Sequence, residues 1–122
     1  MGAFVIPAAL DAALAYLATA TRLDITSDTI TPANLDNTLG NVTVTAGDGN
    51  GDYTIANGDI SGRKLTLGAQ EILATGSGTA KHWVLSISGT ILATGTVTDK
   101  SISSGSTYEF PATNVYEVRD AQ

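Results

Sequence analysis

From Arg22 onward the chain alternates apolar and polar residues: Leu23 and Ile25 in TRLDITS, Val42 and Val44 in NVTVTA, Leu65 and Leu67 in RKLTLG. A period of two places successive side chains on opposite faces of an extended backbone, the pattern of a half-buried strand and not of a helix. Further strands are predicted at EILAT, AKHWVLSIS, TILATGTVT, YEF and NVYEV, separated by clusters of Gly, Ser, Asp and Asn. Short strands at this spacing predict a mainly β fold, an antiparallel β-sandwich of immunoglobulin-like or jelly-roll-like form. Ser88 and Gly89, between WVLSI and TILAT, mark a tight hairpin. The string ILATG occurs at Ile72–Gly76 and again at Ile91–Gly95, but its flanks differ, which fits two strands of similar burial better than a duplication.

One segment breaks the period. Over residues 7–20, Leu10, Leu14 and Leu17 fall on one helical face among alanines, and Pro7 suits a first turn, where its missing N–H costs nothing. A single short N-terminal α-helix is expected there. The apolar lead before it, residues 1–6, reads either as a strand of the chain's own sheet or as an arm that docks elsewhere. Phe4, Val5 and Ile6 are the interface candidates of that second reading. With 122 residues, one domain spanning 1–122 is the expected organisation.

Hydrophobic residues make up 43% and charged residues only 15%, enough for a core beneath a weakly charged, Thr-rich surface of the kind a neighbouring protein can cover. The net charge of −6 and six scattered basic residues argue against nucleic acid as partner, because a phosphate backbone is bound through clustered Lys and Arg. Without cysteine there is no disulfide or thiolate metal site, and with His82 the sole histidine a His-rich zinc site or a His relay is hard to build. The opening MGAFVIPAALDAALAYLATA lacks a basic leader and is too short and too interrupted for a membrane span, so no membrane is expected as partner.

The stretch GDGNGDYTIANGD, Gly47–Asp59, is the densest in carboxylates. As a calcium loop it offers Asp48, Asn50, Asp52 and, at the twelfth place, Asp59, but Tyr53 stands where the sharp turn of such loops requires Gly. A catalytic acid pair would need a buried, rigid setting that a Gly-rich turn does not supply. The plainer reading is a turn whose Gly and Asn residues take positive φ, with a second turn at Asn57 and Gly58. No nucleophile elbow, phosphate loop or ligand-spaced His cluster is present, so neither enzyme nor cofactor is expected; were a turnover found, Asp48, Asp52 and Asp59 are the residues to examine.

Four segments run in the same order as those of a known group. ANGDISGRKLTL at Ala56–Leu67 resembles a segment recurring in small bacteriophage proteins encoded among virion structural genes. LDAALAYLATATRLDI resembles that group's opening helix and first strand, GTAKHWVLSISGTILATGTVT its central hairpin, and YEFPATNVYEVRD its closing strands. The chain departs from the group after the first strand, where DTITPANLDNTLG forms a longer connection. The resemblance implies a non-enzymatic structural protein located in the virion. Most simply it is a capsid-decorating or cement protein, a homo-oligomer whose partner is the major capsid protein or another virion protein. A tail, collar or fibre-attachment component is the variant, and a carbohydrate- or calcium-binding host-attachment module is the reading from another class.

Arg63 and Lys64 enter a strand on opposite faces and so form no patch; a salt bridge to the preceding Asp-rich loop is expected of them. Of His82 and Trp83 one should be core and the other exterior, with Trp the natural anchor, and an outward His82 would be a pH sensor. Tyr108, Phe110, Val115, Tyr116 and Val118 make the last strands aromatic-rich, core by default, with outward members free to contact another subunit.

Overall fold

The computed structural model describes residues 7–27, 38–58 and 62–118. Among them are one helix, α1 (Pro7–Leu17), and strands β1 (Arg22–Thr26), β2 (Thr38–Thr43), β3 (Tyr53–Asn57), β4 (Arg63–Leu67), β5 (Gln70–Leu73), β6 (Gly78–Ile87), β7 (Thr90–Ile102), β8 (Thr107–Phe110) and β9 (Thr113–Val118). Every pairing between these strands is antiparallel, so the fold is mainly β and sandwich-like with one N-terminal helix, as the periodicity predicts. The chain divides into two compact units, residues 1–19, 45–68 and 112–122 in one and residues 20–44 and 69–111 in the other. Phe4, Val5, Ile6 and Asp59 lie outside the described residues.

In the first unit α1 lies against β4 and β3 of a three-stranded sheet ordered β3-β4-β9. Leu10 and Leu14 are its buried stripe, continued by Ala18 just past its end, and Tyr53, Leu65 and Leu67 are buried in the sheet. Each large apolar side chain taken fully out of water contributes about 1.5–3 kcal/mol. The helix stops at Leu17, three residues short of the expected end. Both the Thr19 hydroxyl and the Thr19 N–H donate to the Tyr16 carbonyl, at 2.6 and 3.1 Å, which curls the last turn. The freed Ala18 carbonyl accepts from Gly47 N–H at 3.0 Å instead.

The second unit holds a four-stranded sheet ordered β2-β1-β6-β7 and the two-stranded pair β5-β8. The two meet where Gly40 of β2 bridges Ala74 and the Leu39 carbonyl accepts Thr75 N–H at 2.8 Å. The predicted β6–β7 hairpin is present, and its turn residues Ser88 and Gly89 have φ of 49° and 81°, the double positive φ that suits the twist of two-residue hairpins. Trp83 is the expected core anchor, 4% exposed, while His82 is half-buried beside it. Opposite Trp83 in register is Gly95, where any Cβ would clash with the indole ring. The two ILATG strings lie in different sheets and differ in burial: Ile72 is 1% exposed, whereas Ile91 is half-buried on an edge strand.

Candidate functional site

In the Asp-rich loop the carboxylates turn onto the loop's own backbone. Asp48 Oδ1 accepts Ile55 N–H at 2.9 Å, Asp52 Oδ2 accepts Thr45 N–H at 2.6 Å, and Asn50 Nδ2 donates to the Ala46 carbonyl at 2.9 Å. Short polar side chains bonding nearby backbone in this way stabilise turns in place of strand ladders. The positive φ values fall on Gly47, Gly49 and Gly51, whereas Asn50 and Asn57 keep negative φ. The loop ends on Tyr53, buried at the start of β3, whose carbonyl accepts Gly49 N–H at 3.0 Å. Tyr53 thus anchors the segment. Burial, and after it the charge of Asp52, pushes its phenol up to about 12. Among the described residues no three His, Cys, Asp or Glu side chains gather as a metal would need.

Where the sequence led us to expect a carboxylate of that loop, Arg63 makes its ion pair, among the described residues, with the helix. Its Nε and Nη2 reach Asp11 of α1 at 2.7 and 3.3 Å, and Nη1 donates to Asn57 Oδ1 at 2.8 Å. The hydrogen bond to Asp11 raises the guanidinium above its ordinary value. This ties the helix to the β3–β4 hairpin, whose connection closes with Gly58 N–H on the Gly62 carbonyl at 2.9 Å.

The strongest polar constellation is one the sequence reading passed over. Asp24 sits in the centre of β1, wholly buried, with Arg22 Nε on Oδ1 at 2.8 Å, Arg22 Nη2 on Oδ2 at 3.0 Å and the Thr38 hydroxyl on Oδ2 at 2.7 Å. Thr26 and Ser86 are buried with it, so both faces of β1 are covered and the alternation of Leu23 and Ile25 with polar neighbours marks no solvent face. The hydrogen bond to Asp24 raises the Arg22 guanidinium. An R-x-D pair on one strand, with opposite charges two residues apart on one face, is the signal that could have shown it.

An open cleft of about 490 Å³ lies at the β5–β8 pair, lined by Ala69, Gln70, Glu71, Glu109, Phe110 and Pro111. Glu71 and Glu109 stand directly opposite each other in register, both exposed, a like-charge pairing that weakens this small sheet. Tyr108 and Phe110 of β8 are core, whereas on β9 Val115 is half-buried and Tyr116 is 57% exposed. Among the described residues no helix is long and apolar enough to cross a membrane. Compared with known families, curated proteins and solved structures, the chain finds no match: no family model, no curated protein and no solved structure.

Proposed function

We propose that this chain is a non-enzymatic structural protein of a bacteriophage virion that decorates or cements the capsid surface in many copies, with the major capsid protein or another virion protein as its partner. The observation that supports this reading is the colinear resemblance of four segments, covering most of the chain, to small phage virion proteins. The mainly β fold, the exposed threonines of β7 and the low charged fraction accord with a surface made to be covered. The acidic loop, the natural place to look for metal or acid–base chemistry, spends Asp48 and Asp52 on its own backbone, which favours scaffold over catalysis. Many weak contacts made in parallel suffice for attachment, because once one copy of an oligomer has bound, the others meet their own sites at high effective concentration.

The test is the copy number in purified particles, measured by quantitative mass spectrometry against the major capsid protein. A count comparable with the capsid protein is expected. A few copies to a few dozen would move the protein to the tail, collar or fibre junction, and absence from the particle would overturn both placements.

A further inference from the structure

β7 runs thirteen residues, Thr90–Ile102, at the end of the sheet order β2-β1-β6-β7. Among the described residues it pairs with β6 alone, so half of its backbone N–H and C=O groups point away from the sheet. Such an edge is a template for another strand, and proteins that avoid pairing blunt it with proline, inward charges or brevity. Over Ile91–Thr98 β7 carries no proline and no charge; its register with β6 shifts at Leu92 and again after Thr96, but exposed and half-buried residues still alternate from Thr94 to Thr98. The opposite edge, β2, has only six residues, and its Gly40 already bridges Ala74.

The sequence of the edge indicates what fits it. Two antiparallel copies of one strand are related by a two-fold axis normal to the sheet, so each residue must oppose one of the same parity. Thr94-Gly95-Thr96-Val97-Thr98 is symmetric in threonine about Thr96. Centring the axis there sets Thr94 against Thr98 twice and Thr96 against itself. All three threonines are exposed, and cross-strand threonine pairs are favourable. Gly95, whose side-chain space is filled by the Trp83 indole, then opposes the half-buried Val97 of the second copy. Charge agrees as well. A chain of net charge −6 repels its own copies, but Thr94–Thr98 is uncharged and Asp99 and Lys100 beside it cancel.

We propose that β7 is the self-association surface of this protein: a second copy pairs antiparallel along it with the two-fold axis at Thr96, joining two four-stranded sheets into one. The surface is argued from the strand alone and does not depend on the virion reading. The experiment uses the purified chain, so absence of the protein from particles would leave it standing.

Sedimentation of the wild-type chain is expected to show a species of twice the 12.4 kDa chain mass that dissociates on dilution. Because the protein has no cysteine, Thr96→Cys introduces a lone thiol, which mild oxidation should convert almost fully to a cross-linked dimer, while Thr54→Cys, at an exposed position on β3, should not cross-link. Thr94→Lys/Thr98→Lys and Thr94→Glu/Thr98→Glu should each be monomeric, with an equimolar mixture recovering the dimer; a misfolded variant would not be rescued in this way. A wild-type chain that stays monomeric at the highest soluble concentration would overturn the proposal. So would a dimer that survives the lysine pair, or cross-linking through Cys at 54 and not at 96.

Discussion

Asp24 accepts two hydrogen bonds from Arg22, two residues earlier on the same strand, yet only the acid is buried: its side chain is 0% exposed and that of Arg22 48%. The two partners therefore depend on the pair unequally. Without Asp24 the guanidinium still has water; without Arg22 the carboxylate keeps, among the described residues, the Thr38 hydroxyl. Arg22→Met should cost about 3 kcal/mol, because an uncompensated charge remains buried. Asp24→Asn, which removes the charge and keeps the shape, should cost about 1 kcal/mol. Urea unfolding midpoints of the two variants check the order, and equal losses would contradict it.

Gly95→Ala forces a methyl group into the Trp83 indole, so one or the other must shift. Overpacking of this kind costs about 1–3 kcal/mol. The chain has a single tryptophan, so its fluorescence reports the displacement directly, together with the lowered unfolding midpoint.

Ser88 holds φ at 49°, among the described residues the only non-glycine with positive φ. Asparagine tolerates that region better than serine. Ser88→Asn should therefore stabilise the hairpin by about 0.5 kcal/mol, and Ser88→Val should destabilise it. Thermal melts of the two variants should move in opposite directions.

Tyr53 ionises near 12 in the folded protein, raised by burial and then by Asp52, against about 10 in an unfolded chain. The folded state thus favours the neutral phenol. That contribution is complete below about pH 10 and is lost as pH rises through about 12, because the unfolded chain releases its proton first. Burial raises Tyr108 in the same direction. Denaturation midpoints taken stepwise over this interval should fall more steeply for the wild type than for Tyr53→Phe, and parallel curves would show that Tyr53 is not the group responsible.

Asp52→Ala removes the acceptor of Thr45 N–H and should lower stability by about 1 kcal/mol. Since Asp48 and Asp52 are turned onto backbone donors, millimolar calcium should leave the melting temperature where a chelator leaves it. A rise with calcium would show a ligand bound to the native state and restore the loop as a metal site.

What the sequence determined by itself was local. Period-two alternation and the turn clusters marked every described strand except β3, which lay inside the Asp-rich stretch read as turns; the Leu10–Leu14 spacing marked the helix, and Ser88-Gly89 the one hairpin that needed no other information, because each of these signals is carried by neighbouring residues. The bias of the Asp-rich loop toward turns was legible for the same reason, although which residues carry positive φ was not. Tertiary structure decided the rest. Alternation tells which residues share a face and is silent on whether the second face is covered, so Asp24 read as surface and is buried. Composition shows a cation near several acids and cannot choose among them; Arg63 took Asp11, fifty-two residues away, because the helix lands on β4 and not because of anything beside Arg63 in the chain. Identical ILATG strings took different sheets and different burial, since burial is fixed by what lies across a strand rather than by the strand itself.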